Sequence, residues 1–201
     1  MPADEASERH EHHDRLLEGM TRAVAAKGYA ETTIADIVRE AAVSRRSFYE
    51  HFATKADCLV ALYRTASEQA LAVLANAVDP LQPWETQVEH AVAAYLGFLA
   101  ADPALLRMLF VEILGLGLTG LAVRRETNLR IASFIRAAAM RDETPLMSER
   151  LAMTVVGGIN ELILQAVEQG LPQDLRELVA PSTQLIFAVA RDGVRRIAAE
   201  G

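Results

Sequence analysis

A chain of 201 residues with 51% apolar side chains can fill a sizeable core, in one large domain or two small ones. The formal net charge of -7 excludes a protein coated in basic patches, although arginine and lysine can still gather on one face of an acidic body. The single cysteine, Cys58, excludes an intrachain disulfide and a multi-cysteine metal site.

Residues 1–10 are charged and small, with no periodicity, and are expected to be disordered. His10, His12 and His13 have no second ligand cluster at a fixed distance, so no metal site is expected. A first helix is predicted over 12–27, with Leu16, Leu17, Met20, Ala23 and Val24 facing inward. Gly28 is its expected stop, and Tyr29 sits where a Schellman cap buries an apolar side chain.

The stretch from Thr32 to Asp57 is the most informative. Thr33 and Asp36 form a capping box, and Ile34, Ile37, Val38 and Ala41 share one helical face. Ser44 caps a second short helix, with Val43 and Phe48 at the hydrophobic-staple positions; Thr54 and Asp57 cap a third. The middle helix turns Arg45, Arg46, Ser47, Tyr49 and His51 outward, with Phe48 and Phe52 beneath them. A helix-turn-helix reads DNA with the first residues of its second helix. Arginine there can grip a guanine edge, and Tyr, His, Ser and Lys can reach phosphates. The DNA-contacting set expected here is Thr33, Ser44, Arg45, Arg46, Ser47, Tyr49, His51 and Lys55. A charged surface turn between two helices is the plain alternative.

Thr33-Ile34-x-x-Ile37-x-x-x-Ala41-x-Val43-Ser44, then Phe48-Tyr49-x-His51-Phe52-x-x-Lys55 and Leu59, resembles the DNA-binding signature of the TetR family of transcriptional repressors. The resemblance covers the first third of the chain. It implies an all-helical homodimer with a small-molecule pocket in its C-terminal domain. It also implies phosphate contacts by Tyr49 and Lys55, and repression rather than activation. One departure is Ala42, where the family usually has glycine. If that position needs positive φ, alanine costs about 1 kcal/mol.

The helix opened by Thr54 is predicted to run to about residue 78, long enough to act as a lever between two domains. A break at Asp79-Pro80-Leu81-Gln82-Pro83 separates it from a helix over 83–100. Asp102-Pro103 reads as a cap with proline at the first helical position, opening a buried helix to about residue 114. Gly115-Leu116-Gly117-Leu118-Thr119-Gly120 matches a dinucleotide fingerprint, but no strand precedes it, so a loop between helices is expected and no cofactor. Further helices are predicted over 121–140, 148–169 and 181–199, with an exposed turn at 141–145 and a short turn at 174–178. The fold class is therefore all-α: a helix-turn-helix DNA-binding domain over residues 1–56, and a helical effector-binding and dimerisation domain over 57–201.

In the second domain, Trp84, Tyr95, Phe98, Met108, Phe134 and Met153 can line a largely apolar pocket, with Glu112 and Asn160 as polar groups that orient a ligand. Gly157, Gly158, Ile186 and Val194 are the expected dimer contacts, because paired glycines let another helix approach closely. No Ser/His/Asp arrangement, phosphate loop or paired His and carboxylate spacing is present, which argues against an enzyme. The N-terminus carries no apolar signal region, and the most apolar stretch, Leu105 to Val123, is broken by Arg107 and Glu112. A cytoplasmic protein with no membrane partner is expected. The partners expected are double-stranded DNA, a mainly hydrophobic effector and a second copy of the chain. The alternative is a helix-turn-helix protein without an effector.

Overall fold

A computed structural model describes the backbone of residues 2–141, 144–170 and 172–200, and the side chains of residues 8–139, 146–170 and 175–192. The helices are α1 (Pro2–Glu31), α2 (Ile34–Ala41), α3 (Arg45–His51), α4 (Lys55–Asn76), α5 (Trp84–Ala101), α6 (Pro103–Phe110), α7 (Leu118–Ala138), α8 (Glu149–Glu168) and α9 (Val179–Glu200). Short 3₁₀ turns occupy Glu112–Leu116 and Pro172–Leu178. A two-residue antiparallel pairing, β1 (Met140–Arg141) with β2 (Thr144–Pro145), stands at the expected exposed turn.

The caps predicted from spacing form. Asp102 Oδ1 accepts from the amides of Ala104 and Leu105, and Thr54 exchanges bonds with Asp57. The backbone of α1 is helical from Pro2, ahead of the start expected near His12, in a stretch rich in strong helix formers. Its regular part ends where φ reaches 77° and ψ 163° at Gly28. The expected Schellman closure is replaced. The Tyr29 amide, which would bond back into the helix, instead donates to Glu112 Oε2 at 2.8 Å, and Tyr29 is only half-buried.

The chain divides into two compact units. One comprises Met1–Ser67 with Arg107–Val123, and the other Glu68–Leu106 with Arg124–Gly201. Sequence reading drew one boundary after residue 56; the first unit extends further and takes in a second, distant segment. Leu16, Met20, Ile37, Phe48 and Leu59 are fully buried in the first unit; Leu96, Leu99, Ile163 and Leu175 are fully buried in the second. Of the described helices, α8 alone is long and apolar enough to cross a membrane. Its buried stripe through Val155, Ile159 and Ile163 is that of a core helix.

Gly115–Gly120 connects the 3₁₀ turn to α7 rather than a strand to a helix. Gly117 has φ 57° and makes the turn. Gly120 is there for packing, because a Cβ would lie 1.9 Å from the Ile113 carbonyl oxygen.

Candidate nucleic-acid interface and effector cavity

The α2–α3 turn is built by backbone bonds and by α1. Ala42 adopts φ 51° and ψ 43°, the left-handed conformation for which glycine is the easier residue. Its amide donates to the Arg39 carbonyl, and the Val43 amide donates to the Val38 carbonyl. These are the two bonds of a Schellman cap, and they offset the strain. Two α1 arginines cover carbonyls left over at the end of α2. Arg15 donates to Ala41 and Ala42 at 3.0 and 2.7 Å, and Arg22 to Glu40 at 2.5 Å. Guanidinium groups at a helix C-terminus also meet the negative end of its dipole. Their spacing along α1 was visible in the sequence, but their partners were not.

The other end of α2 is held by Asp36. Its carboxylate accepts from the Thr33 amide and hydroxyl at 2.9 and 2.6 Å, and from Lys27 Nζ at 2.5 Å. Hydrogen bonds from Lys27 and Thr33 hold this carboxyl well below the usual carboxylate range. A depressed native pKa gives stability that is present above the unfolded value of about 3.9 and is lost as pH falls below it. We expect Asp36→Asn to lower stability at neutral pH and to flatten the loss between about pH 4 and 2. Denaturant midpoints measured at steps of pH check this; parallel profiles would contradict it.

On α3, Ser44 Oγ accepts from the Ser47 amide at 3.0 Å, and the two hydroxyls lie 2.9 Å apart, so both serines serve the helix cap. Arg45 is exposed, with no side-chain partner among the described residues, while Arg46 pairs with Glu50 at 3.0 Å. Tyr49 is 59% exposed, and its ring meets the fully buried Phe48 edge-on at 5.6 Å. His51 lies 5.8 Å from the His13 ring. Burial, then His13, His12 and Arg9, lower its pKa, so at neutral pH it offers a neutral ring rather than a cation. Among the described residues no group of three metal-ligating side chains is placed to hold an ion.

Lys55 is placed differently from the other expected contacts. Its ammonium donates to the carbonyls of Tyr29 and Thr32 at 2.9 and 2.7 Å, and stands 4.2 Å from the centre of the Tyr29 ring. Burial there lowers its pKa. Tyr29 is thus gripped through its carbonyl by Lys55 and through its amide by Glu112, whose other oxygen accepts from Arg107 Nε at 2.8 Å. Glu112 is 9% exposed and belongs to the first unit, as does Met108. Cys58 is buried nearby, and its thiol is pushed up to about 12 by burial and the Asp57 carboxylate, which leaves it unreactive.

The cavity lies within the second unit. It is lined from α4, α5, α7, α8 and α9, and its empty space is about 600 Å³ including the part open to solvent. Of the expected ligand contacts, Tyr95, Phe134 and Asn160 line it. Trp84 instead packs edge-on against Phe187 at 5.3 Å; Phe98 and Met153 are half-buried and are not part of the lining. Ile186, expected at a dimer surface, is 1% exposed in the single chain and lines the cavity. Gly157 and Gly158 are exposed on α8, and Leu185 of α9 lies beside Gly158. The Val194 side chain lies outside the described residues. Asn128, absent from the expected set, hydrogen-bonds Asn160 at 3.1 Å.

Residues 16–62 match the family model of bacterial regulatory proteins of the TetR family. Over that segment the chain is similar to the TetR family. That match ends on α4 and covers the whole helix-turn-helix. No curated protein matches by sequence. Solved structures extend the likeness of fold to the second unit. The fatty acid degradation regulator FadR from Bacillus halodurans is similar at 18% identity over 87% of this chain and 94% of its own, with a TM-score of 0.75. FadR from Bacillus subtilis, solved with stearoyl-CoA, gives 17%, 86%, 96% and 0.73. A TetR-family regulatory protein from Rhodococcus RHA1 gives 22%, 89%, 96% and 0.66. At 17–22% identity these structures show a likeness of fold.

Proposed function

We propose that the protein is a ligand-responsive repressor. It binds a near-palindromic operator as a homodimer and is released by a small, mainly hydrophobic effector. The observation that carries the DNA reading is the α3 surface: Arg45, Arg46 and Tyr49 face solvent from a helix anchored by Phe48 and Phe52. Arg45 is available to a guanine edge at once, and Arg46 after leaving Glu50. Thr33, Ser44, Ser47, Tyr49 and His51 surround them as phosphate contacts through hydroxyls, a ring and helix N-termini. Lys55, bound to carbonyls in the free chain, supports the interface by fixing the α1–α2 turn.

Two copies pair over the exposed glycines of α8, with Leu185 beside them. The effector enters the apolar cavity, and its differential affinity for two conformations sets the extent of release. The bound stearoyl-CoA of the Bacillus subtilis relative supports a small-molecule site of this kind.

Arg45→Ala and Arg46→Ala test the reading. At least one should lower operator affinity by about 1–3 kcal/mol and relax the preference over scrambled DNA at one base position. Titrations of both variants on both duplexes measure this. An unchanged preference in each variant would remove α3 from the reading role.

A further inference from the structure

Histidines from two helices gather where α1 passes the end of α3. His51, half-buried at the last position of α3, meets the His13 ring edge-on at 5.8 Å. His13 in turn stacks on His10 at 6.4 Å and lies 5.3 Å from the Phe52 ring. Phe52 also stands 6.3 Å from His51 itself. This corner holds the His51 ring neutral. Burial comes first, then His13, His12 and Arg9, all on α1; Glu50 acts the other way. Glu50 is already engaged by Arg46 at 3.0 Å, and Asp14 lies 3.4 Å from His13. The charges of α2, Asp36, Arg39 and Glu40, pair with one another and with Lys27 and Arg22 of α1.

A phosphate brought to this surface reverses the balance. An anion within about 4–6 Å favours the charged ring, and a charged ring donates the stronger hydrogen bond. The proton comes from solvent and goes to the ring nitrogen that carries none. A group that is neutral in the free chain and cationic beside a phosphate binds its proton together with the duplex. By linkage, protons then favour the duplex to the same extent.

We propose that operator binding takes up a proton at His51, so that the protein holds its operator more tightly in mild acid than in mild base. The proposal rests on the DNA reading above and adds a regulation to it.

Titrations of a duplex enriched by the wild-type chain from random DNA, at constant ionic strength, test it. We expect wild-type affinity to rise about 5- to 10-fold from about pH 8 to 6. In His51→Gln, whose amide donates but does not titrate, the rise should fall below about two-fold. Calorimetry in two buffers of different ionisation enthalpy should show proton uptake on binding at about pH 7 by the wild type and little by the variant. A purely structural His51 would instead lower affinity equally at every pH and leave the rise intact, which overturns the proposal. If the variant does not fold, the His51 ring-proton resonance of the wild type decides. Its titration midpoint should move up by at least about one unit when the duplex binds. An unmoved midpoint, or binding without proton uptake, overturns the proposal and leaves the DNA reading intact. Failure to bind any enriched duplex at any pH overturns both.

Discussion

Replacing Phe48 by alanine is expected to destabilise the N-terminal unit by about 3–5 kcal/mol and to abolish operator binding. Phe48 is fully buried, 5.8 Å from the Phe52 ring, and lies under the helix that carries Arg45, Arg46 and Tyr49. Removing it leaves a cavity beneath a helix of seven residues, which is too short to hold its shape without packing. A loss of this size is a large fraction of the stability of a small domain. Circular dichroism melts and operator titrations of Phe48→Ala check this. Wild-type melting together with wild-type affinity would show that α3 is not anchored through this ring.

Gly120→Ala is expected to destabilise the same unit by about 1–3 kcal/mol or more. The added Cβ would lie 1.9 Å from the Ile113 oxygen and 2.9 Å from its carbonyl carbon. Both are backbone atoms, so either the 3₁₀ turn or the start of α7 must move. The turn holds Glu112, which accepts the Tyr29 amide at the end of α1. Displacement at Gly120 should therefore expose that amide, and hydrogen exchange at Tyr29 should quicken along with a fall in melting temperature. Gly97→Ala is the control, because a Cβ there meets open space. Unchanged protection of Tyr29 in Gly120→Ala would contradict the link.

These two residues also mark what a single sequence can show. Phe48 was placed inward by its spacing from Phe52, and the caps at Thr33, Ser44, Thr54 and Asp102 followed from partners within three residues. Such signals are local, so they survive without a structure. The partners of Glu112 and Lys55 are not local. Tyr29 is 83 residues from Glu112 and 26 from Lys55, and no periodicity links them. An acidic side chain in an apolar helix therefore suggested a ligand contact, and a lysine near the recognition helix suggested a phosphate. Charge was legible in both residues, but the atoms they meet were not. The dimer and cavity assignments were hard to separate for the same reason. Apolar residues cover several faces of α9, so the pattern could not show that Ile186 turns inward. Gly120 was legible as part of a motif, and only the approach of Ile113 shows that its purpose is packing.

The most direct measurement is selection of the wild-type chain against random duplex DNA, followed by footprinting of the enriched sequence. A dimeric helix-turn-helix reader should enrich an inverted repeat whose half-sites lie about 34 Å apart, centre to centre, on one side of the duplex. Its affinity should fall steeply with salt. Enrichment of a single unrepeated site, or no enrichment over random sequence, would contradict it.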